Sequence, residues 1–406
     1  MQFASLVDRI GGSRVDAWKI HAEAVAAAAR KEDVIVLSVG DPEFAAPESI
    51  TAAAIAALQS GDTHYTTIAG RLPLRERIAR QHSRSSGQPV DASHVVVVGG
   101  AQNGMFVASL CLCEAGDEVL VPEPLYLTYE ATIRASGATL VPVPVQADRG
   151  FRIDIQALRD AITPRTRAIF LATPCNPTGV VMRRDELDAI AELACRHGLW
   201  VVADEVYGAL SFEPPHVSIA SLPGMGERTV TVSSLSKSHA MAGYRIGWVV
   251  APPELIRHMG NLLLCMLYGA PGFTQEAACA ALDRYDAVAA QIRALYRSRR
   301  DLVHRLLSDV PGLRCPLPEA GMFMLLDIRA TGLTSSEFAW GLFRATGVSV
   351  LDAQAFGPSA AGFLRMGLVV DEPLLAEACR RIRAYVASVF QPGARAPTDE
   401  GPARTQ

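Results

Sequence analysis

Lysine is almost missing from this sequence: of 38 basic residues only Lys19, Lys31 and Lys237 are lysine, and the other 35 are arginine. Positive charge on the general surface is therefore carried by guanidinium groups. Beyond residue 31, position 237 alone keeps an ammonium. A guanidinium stays protonated and cannot form an imine, whereas a lysine amine can lose its proton and attack a carbonyl. Lys237 is a candidate for covalent chemistry before any motif is considered.

An excess of charge of one sign is also lacking. The net charge of −4 gives no electrostatic case for nucleic acid or an anionic membrane surface. None of the eight cysteines forms a C-x-x-C pair, and the Cys111–Cys113 spacing matches no common zinc site, so no metal is expected. Several cysteines lie in apolar stretches such as ASLCLC, where a thiol behaves as a small hydrophobe, and a reduced, cytoplasmic protein is expected. The apolar stretch NLLLCMLYGAPG is too short to span a bilayer. The first residues carry Asp8, Arg9, Arg14 and Asp16 where a secretion signal needs an apolar run, so neither membrane insertion nor export is expected.

What is present is an alternation of short β-branched runs with helical stretches. A chain of 406 residues exceeds what one core usually supports, so two domains are expected. The runs HVVVVGG, DEVLVPE, ATLVPVPV, RAIFLATP, LWVVADE and RTVTVSS are continuous and apolar. Patterns such as RDELDAIAELACRHG lie between them. That arrangement predicts a mainly parallel sheet covered on both faces, an α/β fold. YRIGWVVAP follows too closely for a crossover helix and is expected as a seventh, antiparallel strand. An Ala-rich helix is expected from Asp16 to about Arg30, followed by the short strand VIVLSVG. After about residue 285 the pattern changes to a long charged helix, GMFMLLDI, a further helix, the short strand VSVLD, FLRMGLV and a last helix. These predict a smaller α+β domain. The expected division is 1–45 and 286–390 for the small domain and 46–285 for the large one. A tail over 391–406, without apolar periodicity, is expected to be disordered.

Ligands of open α/β sheets bind beyond the carboxyl ends of the strands. HVVVV runs into Gly99, Gly100, Ala101 and Gln102, a small-residue turn that opens a helix and can cradle a phosphate; an ordinary tight turn would look the same. RAIFLATP leads to Asn176–Pro177–Thr178–Gly179, which by composition is also a turn. LWVVADEVY places Asp204 at the end of a buried strand with Tyr207 after it, and a carboxylate there needs a cation or several donors. RTVTVSSLSK delivers Ser233, Ser234, Ser236 and Lys237, followed by Tyr244 and Arg245. One ligand answers all four strand ends: a phosphate, a ring nitrogen that wants a carboxylate, a ring hydroxyl that wants donors, and an aldehyde that wants a lysine. Pyridoxal phosphate fits that description.

The stretches THYTTIAGRLPLRERIA, GGAQNG, EPLYLTYE, NPTG, ADEVY, SSLSKSHAMAGYRIGW and FLRMG together resemble the class I/II, fold-type-I aminotransferases. The resemblance runs through nearly the whole chain up to the tail. It implies that Lys237 bonds covalently to the cofactor and shuttles the proton between the substrate Cα and C4′ of the cofactor. Asp204 pairs with the pyridinium N–H, Asn176 and Tyr207 donate to the ring oxygen, and Tyr126 stacks on the ring. Gly100, Ala101, Gln102, Ser234 and Arg245 hold the phosphate. Arg365 grips the substrate carboxylate together with Gly40, and Asn176 also touches the substrate. Tyr65 reaches the phosphate of a neighbouring subunit, which implies a homodimer with a shared site. The pair Asn103–Gly104 departs from the small or apolar helix starters common in the family.

Further stretches, among them NLLLCMLYG and AFGPSAAG, resemble family members that take L-arginine as amino donor and pyruvate as acceptor. A guanidinium substrate requires a carboxylate, and Glu43 and Glu123 flank the site segments. The expected activity is transamination between an L-amino acid and a 2-oxo acid. Donors such as alanine, aspartate or aromatic amino acids, or β-elimination on the same cofactor, stay open. A regulator without catalysis ranks below an enzyme because Lys237, Asp204 and Arg365 occur together.

Overall fold

The computed structural model describes residues 2–11 and 17–390. The expected tail over 391–406 and the expected helix start at Asp16 lie outside the described residues. The described chain forms two compact units. One is built from residues 2–11 with Asp41–Arg297 and Glu319–Gly321, the other from 17–40, Ser298–Pro318 and 322–390.

The first unit holds a seven-stranded sheet: Val95–Val98 (β1), Glu118–Glu123 (β2), Thr139–Pro144 (β3), Thr166–Ala172 (β4), Trp200–Asp204 (β5), Thr229–Ser234 (β6) and Gly247–Val250 (β7). The strand order is β1-β7-β6-β5-β4-β2-β3. β7 pairs antiparallel with both β1 and β6, as the short connection before it predicts. The remaining pairs are parallel.

Alternate side chains feed separate cores. Val96, Val98, Phe170 and Val202 enter one cluster, while Val95 and Val97 enter a second and Ile169, Leu171, Val201 and Ala203 a third. Period-two alternation with both faces apolar is why these strands read as continuous hydrophobic runs.

The helix Ala101–Leu112 shows why Gly104 stands where it does. A Cβ there would lie 3.0 Å from Val232 Cγ1 and from Val249 Cγ2, so any side chain would press both valines back, and glycine lets the helix approach the sheet without that shift. The departure from the family pattern is a packing device. Its neighbour Asn103 turns Oδ1 back to accept the Gly99 N–H at 3.0 Å. The helix Arg184–His197 starts where Glu186 accepts the Arg183 N–H at 2.6 Å and stops at Gly198, whose φ of +64° is left-handed.

The second unit contains a three-stranded antiparallel sheet in the order Leu351–Asp352, Phe363–Gly367, Phe323–Asp327. VSVLD, expected as one strand, is two. Val348–Ser349 pairs parallel with Ile35–Val36, whereas Leu351–Asp352 pairs with Phe363–Gly367. The chain changes partner at the buried Val350, and no local pattern reports where a partner ends. The Ala-rich helix runs over Lys19–Ala29.

Candidate active site

β6, β5 and β4 are neighbours in the sheet, and their carboxyl ends deliver Lys237, Asp204 and Asn176 to one place. The register sets Ala172 of β4 beside Asp204 of β5, and Asp204 beside Val232 of β6. These side chains line a cavity of about 170 Å³ together with Ala101, Gln102, Tyr126, Tyr207, Ser234 and Arg245. It lies within the first unit.

The cradle end is shaped by backbone. Gly100 has a φ of +89°, and a Cβ there would collide with the Arg245 guanidinium. Arg245 donates from Nη2 to the Gly99 carbonyl at 3.0 Å and from Nη1 to the Ala242 carbonyl at 2.8 Å. A guanidinium, the Ser234 hydroxyl and the first turn of the helix Ala101–Leu112 thus converge, as an anionic group requires. The side-chain amide of Gln102 is engaged elsewhere, by Thr128 and Thr132, so the contribution left to it at this cradle comes from its backbone.

At the other end Asp204 accepts twice. Tyr129 Oη donates to Oδ2 at 2.7 Å, and the Val206 N–H donates to Oδ1 at 3.2 Å. Burial raises the Asp204 carboxyl above its ordinary value, and these two donors with the Lys237 charge offset only part of that. A carboxylate held with neutral donors in a concave site lacks a full counter-charge, which a protonated ring nitrogen supplies.

The sequence alone marks Tyr129 only as a second aromatic three residues after Tyr126. It is 1% exposed, and it proves to be the hydroxyl partner of Asp204. The available signal was chemical: a buried tyrosine needs a partner for its O–H. Tyr126 precedes that helix and lines the cavity, its ring edge-on to Tyr129 at 5.8 Å.

Glu205 is a second residue that sequence reasoning passed over. His216 stands 3.2 Å away, and Ser218 Oγ donates to Glu205 Oε1 at 2.7 Å. Burial alone pushes the Glu205 carboxyl up, but His216 and Ser218 outweigh it and leave the group below its ordinary value.

The other site candidates fall elsewhere. Tyr65 is 85% exposed, its ring against Tyr268 at 4.8 Å. Gly40 and Arg365 belong to the second unit. There Arg365 is buried on Phe363–Gly367, donates from Nη2 to the Ser38 carbonyl at 3.0 Å, and lies over the rings of Phe323 and Phe356. Glu43 is exposed and Glu123 is buried, and neither lines the cavity. Among the described residues no helix is long and apolar enough to cross a membrane.

Known proteins are similar to this chain in sequence and fold. The family model described as aminotransferase class I and II matches residues 32–382. Arginine–pyruvate transaminase AruH of Pseudomonas aeruginosa is 50% identical over 96% of this chain and 99% of its own length. Aspartate aminotransferase of Pyrococcus abyssi is 34% identical over 87% of this chain and 92% of its own. Among solved structures, Thermus thermophilus aspartate aminotransferase with maleate superposes with a TM-score of 0.90 at 31% identity, covering 95% of this chain and all of that one. These neighbours have the fold-type-I architecture seen here, and this chain belongs to the class I and II aminotransferases, enzymes that transfer amino groups.

Proposed function

We propose that the enzyme moves the amino group of L-arginine to pyruvate in two half-reactions, with pyridoxal phosphate in the cavity of the first unit. The observation that carries the reading is that Lys237, Asp204 and Asn176 reach one cavity from three adjacent strands. The kinship with the Pseudomonas aeruginosa enzyme supports the choice of arginine and pyruvate. The residues fit the cofactor: the turn at Gly100 with Arg245, Ala101, Gln102 and Ser234 suits its phosphate, and Asp204 suits its ring nitrogen. Asn176 and Tyr207 suit its ring oxygen, and Tyr126 suits its face. When bound, pyridoxal phosphate supplies an electron sink for the substrate Cα.

The protein's own groups do the rest. Lys237 holds the cofactor, and its freed amine takes the proton from the substrate Cα and returns it at C4′. Asp204 keeps the ring nitrogen charged. Arg365, with the Gly40 backbone, orients the substrate carboxylate, and the rings of Phe323 and Phe356 beside its guanidinium restrict where that planar fork can point. Of the two acidic candidates for the guanidinium of arginine, the exposed Glu43 is open to a ligand, whereas Glu123 is buried. Tyr65 serves the phosphate site of a second copy in a homodimer, a role consistent with its exposure and with the apolar surface around Tyr268, Leu264 and Met266. The first unit, with Asp41–Arg297 at its centre, serves as the cofactor-binding domain and the second as the smaller one. Eight free thiols favour the cytoplasm.

The test is to add single amino acids to the purified holoenzyme without an oxo acid and follow its visible spectrum. Loss of the band with L-arginine and its return with pyruvate is the expected result. Loss with alanine, aspartate or aromatic donors but not arginine discards the arginine assignment. A band unchanged in Lys237→Ala overturns the assignment of Lys237.

A further inference from the structure

The two ends of the cavity are joined through one helix start and the side chains that clamp it. Gln102, in the first turn of the helix Ala101–Leu112, donates from Nε2 to Thr132 Oγ1 at 2.8 Å. Its Oε1 accepts from Thr128 Oγ1 at 2.6 Å. Thr128 and Thr132 bracket the start of the helix Tyr129–Ala135, so the clamp fixes where Tyr129 leaves the backbone. The Tyr129 hydroxyl then donates to Asp204 Oδ2 at 2.7 Å.

Each link answers a burial cost. Thr132 and Tyr129 are both 1% exposed, and a hydroxyl so placed must find a partner inside the protein. Burial and the nearby Asp204 charge push the Tyr129 hydroxyl well above its ordinary value, so it keeps its proton and can only donate. The bond is therefore a neutral donor on a carboxylate, the arrangement that holds Asp204 charged.

We propose that Tyr129 is a positioning residue for the ring nitrogen of the cofactor, acting through Asp204, and that Gln102 with Thr128 and Thr132 keeps it in register with the phosphate cradle. The inference rests on the reading of the cavity as the pyridoxal phosphate site. It makes the phosphate seat and the ring-nitrogen partner one assembly. A change at Thr128 and Thr132, neither of which lines the cavity, is felt at Asp204.

The direction of the effect follows. Without the Tyr129 hydroxyl, Asp204 is a stronger base and takes a larger share of the proton between it and the ring nitrogen. A less cationic ring withdraws less charge from the nitrogen of Lys237, which then keeps its proton to higher pH. In Tyr129→Phe holoenzyme the pH midpoint of the visible band should move up by about one unit. The dissociation constant of pyridoxal phosphate from the apo chain should rise about ten-fold. The double variant Thr128→Val/Thr132→Val, which keeps Tyr129, should move the midpoint in the same direction by less. Adding Tyr129→Phe to it should give no more than Tyr129→Phe alone.

An unchanged midpoint and affinity in Tyr129→Phe overturns the inference. A shifted midpoint there with none in the threonine variant overturns the part given to the clamp. If Tyr129→Phe does not fold, the threonine variant decides by the same two readings. If wild-type protein mixed with pyridoxal phosphate gives no visible band, the cofactor reading itself has failed and this inference falls with it. A band in wild type with no response in the variants fails the inference alone.

Discussion

Asp204 and Glu205 are neighbours at the end of one strand, both withdrawn from water, yet their carboxyls are shifted in opposite directions. Asp204 faces the cavity, and its donors are a phenol and a backbone N–H. Glu205 has a histidine at 3.2 Å and a serine hydroxyl at 2.7 Å. A carboxylate that meets a histidine and a serine hydroxyl of its own fold is a completed anchor, which here holds the segment carrying Tyr207. Asp204, given two neutral donors and only the nearby Lys237 charge, stays above its ordinary value and suits a further cationic partner in the cavity. The alternation of a strand separates two such groups by turning successive side chains to opposite sides.

The largest effect that sharpens this contrast is on rate. Asp204→Asn keeps the shape and removes the charge, and kcat with an amino donor and pyruvate should fall about 10²–10³-fold. Glu205→Gln should change kcat by only a few-fold. Equal losses in the two variants would break the comparison, since both carboxylates would then serve the reaction.

Stability should run the other way. Glu205→Gln removes the carboxylate that His216 and Ser218 face and should cost about 2 kcal/mol in denaturant unfolding of the apo chain. This contribution also has a pH window. The folded carboxyl titrates below its unfolded value, so the stabilisation is complete above the ordinary value of 4.5 and is lost as pH falls through the folded one. The wild-type unfolding midpoint should therefore drop on acidification in a part of the curve that is flatter in Glu205→Gln.

The smallest effect is a gain. The folded Asp204 carboxyl titrates above its unfolded value of 3.8, so its charge weakens the apo fold once pH rises through the folded value. Asp204→Asn should then stabilise the cofactor-free chain at neutral pH by about 1 kcal/mol while it removes activity. A loss of stability in that variant would mean that Asp204 is an anchor like Glu205.

Much of the site was legible because its residues follow strand ends, where the chain switches from apolar runs to polar groups. Lys237 stood out by the scarcity of its kind, and Asp204 by a charge placed against a buried strand. Tyr129 and Glu205 were not legible for what they do, and Gln102 was legible as part of the phosphate turn but not for its side-chain clamp. A tyrosine beside a second tyrosine looks like core. Asp-Glu in sequence does not say which carboxylate meets a ligand, and a glutamine in a helix start looks like a cradle donor until its amide is seen bound to two threonines. The split of VSVLD between two partners was likewise invisible, because pairing is a property of distant segments.

By itself the sequence determined the elements, their order and the chemical groups at their ends, since propensity, alternation and residue chemistry are local. Only the tertiary structure decided which of those groups share a cavity, which carboxylate meets His216, and how closely the sheet packs on Gly104. Those outcomes depend on distances between segments far apart in the chain, and burial turns such distances into energies.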